Sequence, residues 1–366
     1  MDQLKENETE ISEENNPTSI SSLEEPVASE GLLVEKETKK EKKHWSRKKN
    51  IIFWSVGGVI SLVIGVGAGF ILGTVFNSGG IGNYNNVNAS LYAVDYDVLV
   101  NKYNSLKITD YSKEFTPCEM ANLSLSLMYR SDSWMTQGYG KTSYKVFGVS
   151  GDQQIRSTFM KVGNEYFEES LSKSDIVQAA WRMYEKYDSG DNSVVKRYPG
   201  KVNKNIYDSQ FNEMEMVEYS REDYKTQSGR YLDSIPCIYL ISDKCLSKDD
   251  QEVTSRIPTK VEKTSTGYTI DIELDPKITV KNYVVQMQAT ADLAGPPSFK
   301  FVHLTFKTDA KLNLISMTNY EKYYAKTSSG AGSNMTAKVT TYFETNGNFS
   351  IPKINEQTKY DTSKEK

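Results

Sequence analysis

The 366-residue chain carries 44 Lys+Arg against 48 Asp+Glu, a net charge of -4, with only 2 His and 3 Cys. So few histidines and cysteines argue against a metal centre or a disulfide scaffold. Residues 1–50 alone hold 9 Lys+Arg and 12 Asp+Glu, so the remainder is close to neutral and lacks the concentrated basic face that nucleic-acid binding needs.

Residues 1–38 are acidic, poor in aromatics and rich in Glu, Ser and Asn. Such a composition cannot bury enough apolar surface to offset ordering entropy and predicts disorder. Two readings follow, a solvated tail or a docking segment for a cytoplasmic partner. Next, Lys39, Lys40, Lys42, Lys43, Arg47, Lys48 and Lys49 form a basic cluster. The stretch Ile51–Phe76 then runs without a charge. As a helix it would reach about 39 Å, enough to cross a hydrocarbon core of about 30 Å with some tilt. It is too long and starts too late for a cleaved signal peptide. The flank from Asn77 to Val94 has no charge. The positive-inside rule therefore places the N-terminus in the cytoplasm and the large domain outside, with the basic cluster on anionic headgroups. Within the span, Gly57, Ser61, Gly65, Gly69 and Gly73 recur every fourth residue. Gly65, Gly69 and Gly73 are the densest part of a small-residue face that would let two copies pair as a homodimer.

Residues 77–90 read as a Gly/Asn/Ser linker, and 91–352 as one extracytoplasmic domain. Leu99, Lys102, Tyr103 and Leu106 follow a helical period over about 92–107. Thr116-Pro117-Cys118-Glu119 is a capping box with Pro in the first helical position, so a helix should run to about Arg130 with Met120, Leu123 and Leu127 inward. Strands are predicted at Met135–Phe147, Gln153–Val162 and Glu165–Leu171, broken at Ser150-Gly151-Asp152 and Gly163-Asn164. The stretch Ile176–Tyr187 fits either a helix or a hairpin arm. Residues 200–256 are polar, with one helix near 211–225.

Tyr268, Ile270, Ile272 and Leu274 alternate with polar residues as a half-buried strand. Asp275-Pro276 opens a helix carrying Val280, Tyr283, Val284 and Met287 on one face. Strands follow at Ser298–Lys307, Leu312–Tyr324 and Met335–Glu344. Each half thus reads as a helix followed by a three-strand meander, and the tail 353–366 as loose. The fold class is α+β, a curved antiparallel sheet with helices on its concave face, preceded by one transmembrane helix.

This order resembles the half-barrel of the periplasmic lipoprotein carriers and the lipid-carrying lipoproteins of mycobacteria. The stretches Thr116-Pro117-Cys118-Glu119-Met120-Ala121-Asn122 and Phe306-Lys307-Thr308-Asp309 through Tyr320-Glu321-Lys322-Tyr323 are similar to pieces of surface lipoproteins from low-GC Gram-positive bacteria. The resemblance covers residues 110–350 and implies a lipid-binding cup. A membrane helix in place of a cysteine-linked lipid anchor points to a tethered protein. The resemblance assigns no ligand residue. The amphipathic helices offer Met120, Leu127, Tyr283 and Met287 as the helix side of such a cup, Met and Tyr being suited to apolar or amphiphilic ligands. The same residues could instead close an ordinary packed core.

Catalytic chemistry finds little support. His303 is the one histidine after the span, and Phe299, Phe301 and Thr305 share its predicted strand face, with no nucleophile or acid in pattern. Glu168-Glu169 are adjacent on a strand and should point to opposite faces, so they cannot converge as a glycosidase pair; Asp249-Asp250 are likewise adjacent. Gly138-Tyr139-Gly140-Lys141 is too short for a phosphate loop. Cys118, Cys237 and Cys245 read as free, mostly buried thiols. The sequence therefore points to a membrane-anchored binding protein without cofactor or enzymatic activity, for a lipid or another apolar envelope ligand. The alternative is a structural or protein-interaction ectodomain of the cell envelope.

Overall fold

The structure, a computed structural model, describes residues 82–365 apart from 108–109, 147, 175–177, 188–192, 249–256, 291–292 and 329. The expected membrane span with Gly65, Gly69 and Gly73 lies outside the described residues, as do the tail 1–50 and Asp249-Asp250. Among the described residues no helix is long and apolar enough to cross a membrane.

The alternating region folds into one open antiparallel sheet of 12 strands. A meander of five, β1 (Ser133–Val146), β2 (Val149–Val162), β3 (Glu165–Lys173), β4 (Gln178–Lys186) and β5 (Val194–Val202), is extended by the short β6 (Ser209–Phe211) and β7 (Val217–Ser220), both on β5. A second meander comprises β8 (Lys260–Lys263), β9 (Gly267–Leu274), β10 (Ser298–Asp309), β11 (Leu314–Lys326) and β12 (Gly332–Thr345). The two join in the middle, where β12 pairs with β1 from Trp134↔Thr345 to Val146↔Ser333. The second half has the three strands that the sequence predicted after its helices, with the predicted strand β9 joined by a short β8 before them, whereas the first has five long strands and not three. Both edges end in strands of four residues or fewer. Short, charged edges such as Lys260–Lys263 discourage edge-to-edge pairing.

Among the described residues five α-helices accompany the sheet: α1 (Tyr96–Ser105), α2 (Pro117–Tyr129), α3 (Arg221–Ser228), α4 (Pro276–Thr279) and α5 (Lys281–Thr290). The capping box of α2 is formed as predicted, Glu119 N–H donating to Thr116 Oγ1 at 3.2 Å and Thr116 N–H to Glu119 Oε2 at 2.9 Å. Asp275 caps α4, and the helix breaks at Val280 before α5. Within the ambiguous stretch, Gln178–Lys186 is strand β4, and the helix expected near 211–225 forms later, as α3.

Strand side chains alternate between two faces. On one, Trp134, Phe159, Ile272, Leu304, Phe306, Met335 and Phe343 join α2 and α5 in a single core cluster. Burying such a side chain fully is worth about 1.5–3 kcal/mol, so this face dominates the stability of the domain. The segment 229–248 is laced between α2 and α4. Asn122 Nδ2 donates to Ile241 O at 2.9 Å, Leu240 N–H to Thr279 O at 2.9 Å, and Thr279 Oγ1 to Leu240 O at 2.8 Å.

The other face carries the end of the chain. Residues 352–365, expected to be loose, lie across it as a strap. Tyr184 OH donates to Pro352 O at 3.0 Å, Arg182 Nη1 to the carbonyls of Lys353 and Ile354 at 2.7 and 2.8 Å, and Gln137 Nε2 to Lys359 O at 2.6 Å. The described part of the expected linker is also packed: Tyr84 is buried and its hydroxyl donates to Pro297 O at 2.9 Å. The first hairpin turns at Gly148, which has φ +84°, and Ser150-Gly151-Asp152, predicted as that turn, belongs to β2. A left-handed residue matches the twist of a tight hairpin, and Gly148 supplies one there.

Candidate functional site

Met120, Tyr283 and Met287 are fully enclosed in the core cluster, while Leu127 is half-buried and packs against it. Tyr283 and Met287 lie on α5, Met120 and Leu127 on α2. An enclosed space of about 30 Å³ lies near the middle of the helix face, between Pro236–Tyr239 and Thr136, Ser157 and Asn319. That is room for a water, not for an acyl chain.

At the centre of this region sits a carboxyl that the sequence reading missed. Glu321 on β11 is entirely buried. Its Oε2 accepts from Tyr239 OH at 2.8 Å and its Oε1 from Tyr283 OH at 3.0 Å. No cation pairs with it among the described residues. Tyr323 is enclosed nearby, and its hydroxyl has no hydrogen-bond partner among the described residues. The rings stack onward, Tyr239 to Tyr283 at 5.4 Å, Tyr283 to Phe299 at 5.7 Å and Phe299 to Tyr323 at 4.9 Å. Burial pushes the Glu321 carboxyl up to about 7, against the opposing pull of the two tyrosine hydroxyls. Burial also drives the Tyr239 and Tyr283 hydroxyls well above their ordinary range, so they remain donors at neutral pH. The signal was available in the alternation. Met317, Glu321 and Tyr323 share one parity on β11, which is the parity facing the helices.

Two other buried acids behave as the sequence predicted. Glu168 and Glu169 point to opposite faces of β3, and each meets an arginine. Glu168 Oε2 accepts from Arg230 Nη2 at 2.8 Å on the helix face, while Glu169 Oε2 accepts from Arg182 Nε at 2.6 Å under the strap. Burial pushes the Glu168 carboxyl up and Arg230 opposes it. Their partners come from distant segments and could not be paired from the sequence.

His303 lies on the strap-side face of β10, 3.4 Å from Asp271 Oδ1, and burial lowers its pKa. Thr305 Oγ1 donates to Asp271 Oδ1 at 2.7 Å and lies 3.3 Å from His303 Nε2. A β-bulge between Phe299 and Phe301 places Phe299 on the opposite face from His303, contrary to the simple alternation. All three cysteines are free, with Cys118 and Cys245 buried. Burial pushes the Cys237 thiol up to about 11, which leaves it unreactive at neutral pH. Among the described residues no group of three or more His, Cys, Asp or Glu side chains could hold a metal ion. Comparison with known protein families, with characterised proteins and with solved structures gave no match.

Proposed function

We propose that the chain is a single-pass protein of a bacterial cell envelope and that its outer domain is an interaction module without lipid cargo. In this reading residues 51–76 cross the membrane and residues 1–50 stay in the cytoplasm. Pairing through Gly65, Gly69 and Gly73 sets two domains side by side. The sheet is a half-barrel wrapped around α2, α4 and α5, similar to the lipoprotein carriers in outline but filled by its own side chains. One observation carries the choice over a lipid carrier. Met120, Tyr283 and Met287, the residues best placed to line a cup, are each fully enclosed among protein side chains, and a core at native density leaves no room for a ligand.

The test is native mass spectrometry of a fragment spanning residues 82–366, purified without detergent. The expected spectrum shows the bare polypeptide mass, and an added fatty-acyl probe gives no saturable binding. A co-purified lipid at one per chain, lost on Met287→Trp while the fold is kept, would return the domain to the carrier class.

A further inference from the structure

The strap does not cover the whole of its face. Beside it, across β2, β1 and β12, runs an open groove of about 380 Å³ lined by Tyr139, Lys141, Arg156, Lys338, Tyr342 and Lys364. A second open groove of about 540 Å³ adjoins it along the same strands, with Lys145 and Lys322 on its walls. Asp152 and Glu365 are the acids in its lining, and Lys364 is itself held by Glu344 at 2.9 Å and Asp361 at 3.6 Å.

Three features show what the trough is built to hold. First, Lys141 and Lys338 stand directly opposite each other in the β1–β12 register. Like charges in that position repel. Asp152 sits 3.0 Å from Lys141, but no acid pairs with Lys338 among the described residues. Second, Arg156 is a prepared anion clamp. Its side chain is 9% exposed, and its guanidinium lies 5.4 Å from the Tyr139 ring and 5.5 Å from the Tyr207 ring. Third, that clamp already grips a carboxylate. Arg156 Nε and Nη2 each donate to Glu365 at 2.8 Å, a two-pronged geometry suited to a carboxylate.

We infer that this trough binds a carboxylate-bearing polysaccharide of the envelope, with Glu365 as the internal group that such a chain displaces. The inference rests on the interaction-module reading and names its partner. A sugar chain fits better than an acidic peptide because β1, β2 and β12 are interior strands whose backbone groups are used in the ladder, leaving none for a peptide to pair with. The face instead offers the half-buried Tyr342 ring, hydroxyls such as Thr340 and Thr336, and cations. Aromatic rings pack against the C–H faces of sugars, and lysines answer repeated negative charge.

The test uses the full chain in nanodiscs of zwitterionic lipid, with binding read by biolayer interferometry. Polygalacturonate should bind saturably and weaken as salt screens the charges. The double variant Lys141→Ala/Lys338→Ala alters exposed side chains, keeps the circular dichroism spectrum, and should lose affinity by about tenfold. Glu365→Gln, which frees the Arg156 clamp, should bind several-fold more tightly. Absence of polygalacturonate binding, indifference to the lysine pair, or no gain from Glu365→Gln would overturn the inference. Equal or tighter binding of poly-L-glutamate would assign the trough to acidic peptides, and of polyphosphate to phosphate polymers; either result also overturns it. None of these outcomes bears on the lipid-cargo test, which reads the opposite face of the sheet.

Discussion

Glu168 and Glu169 in the first meander and Glu321 in the second are buried in opposite ways. In the first, Glu168 and Glu169 are both enclosed and each is matched by an arginine, Arg230 at 2.8 Å and Arg182 at 2.6 Å. In the second, Glu321 is enclosed just as completely but meets only the hydroxyls of Tyr239 and Tyr283. A buried charge costs several kcal/mol unless it is paired and hydrogen-bonded. The first meander meets that cost with countercharge. The second meets it by keeping the acid largely protonated up to neutral pH. Equal burial is thus answered by arginines at one joint, Glu168 and Glu169, and by tyrosine hydroxyls at the other, Glu321, although burial still pushes the Glu168 carboxyl up against the pull of Arg230.

The largest effect should come from breaking the first joint. Arg182→Met leaves Glu169 without its cation and also removes the donors to the Lys353 and Ile354 carbonyls that pin the strap. Removing one partner of a buried pair costs about 3–5 kcal/mol, to be read as a lower urea midpoint at pH 7. Adding Glu169→Gln should recover much of the loss, because the stranded charge is then gone. If the double variant is no more stable than Arg182→Met, the strap contacts rather than the charge pair hold this side together.

The second joint is expected to show itself in pH. The Glu321 carboxyl rises from its ordinary value of 4.5 to about 7 on folding. Between those two values the folded chain keeps a proton that the unfolded chain has released. Stability therefore falls as pH rises through this window, by about 3 kcal/mol in all, and levels off above it. Glu321→Gln removes the ionisation and should flatten that slope, so the variant gains on the parent at pH 8 and matches it or loses slightly at pH 4.5. Urea titrations across pH 4.5–8 decide it; a parental slope retained in Glu321→Gln would move the pH dependence to another group.

The contrast was only partly legible in the sequence. Period-two alternation put Glu168 and Glu169 on opposite faces and gave the strand from Tyr268 to Leu274, while the helical period gave the enclosed face of α5. The capping box at Thr116 was readable because all its partners lie within four residues. What escaped the sequence is non-local. Arg182 and Arg230 find their acids through strand register and through the path of 229–248. The strap docks on residues such as Gln137 and Arg182, more than 150 positions away, and its Lys and Thr content reads as solvated. The bulge near Lys300 reverses a face within one residue, which no pattern of residue types marks. Glu321 lay in plain alternation with Met317 and Tyr323, but a charged residue on a core-facing parity reads as an exception until the tyrosines opposite it are in place.

The smallest effects give the finest comparison, because the same deletion can be made in both joints. Tyr283→Phe removes the donor to Glu321 Oε1, and Tyr360→Phe removes the donor that reaches Glu169 Oε1 at 3.0 Å. Both variants keep the ring, so packing against Phe299 or between Tyr139 and Tyr207 is retained. Losing one such hydrogen bond costs about 1–2 kcal/mol. At Glu321 the hydroxyl is one of two groups favouring the ionised form, so Tyr283→Phe should also move the midpoint of the stability–pH curve upward. At Glu169 the Arg182 guanidinium remains on the other oxygen, so the loss in Tyr360→Phe should stay within that of one hydrogen bond. An unmoved midpoint in Tyr283→Phe would mean that its hydroxyl does not hold the Glu321 carboxyl toward the ionised form, and a loss in Tyr360→Phe well beyond one hydrogen bond would mean that its hydroxyl also holds the strap in place.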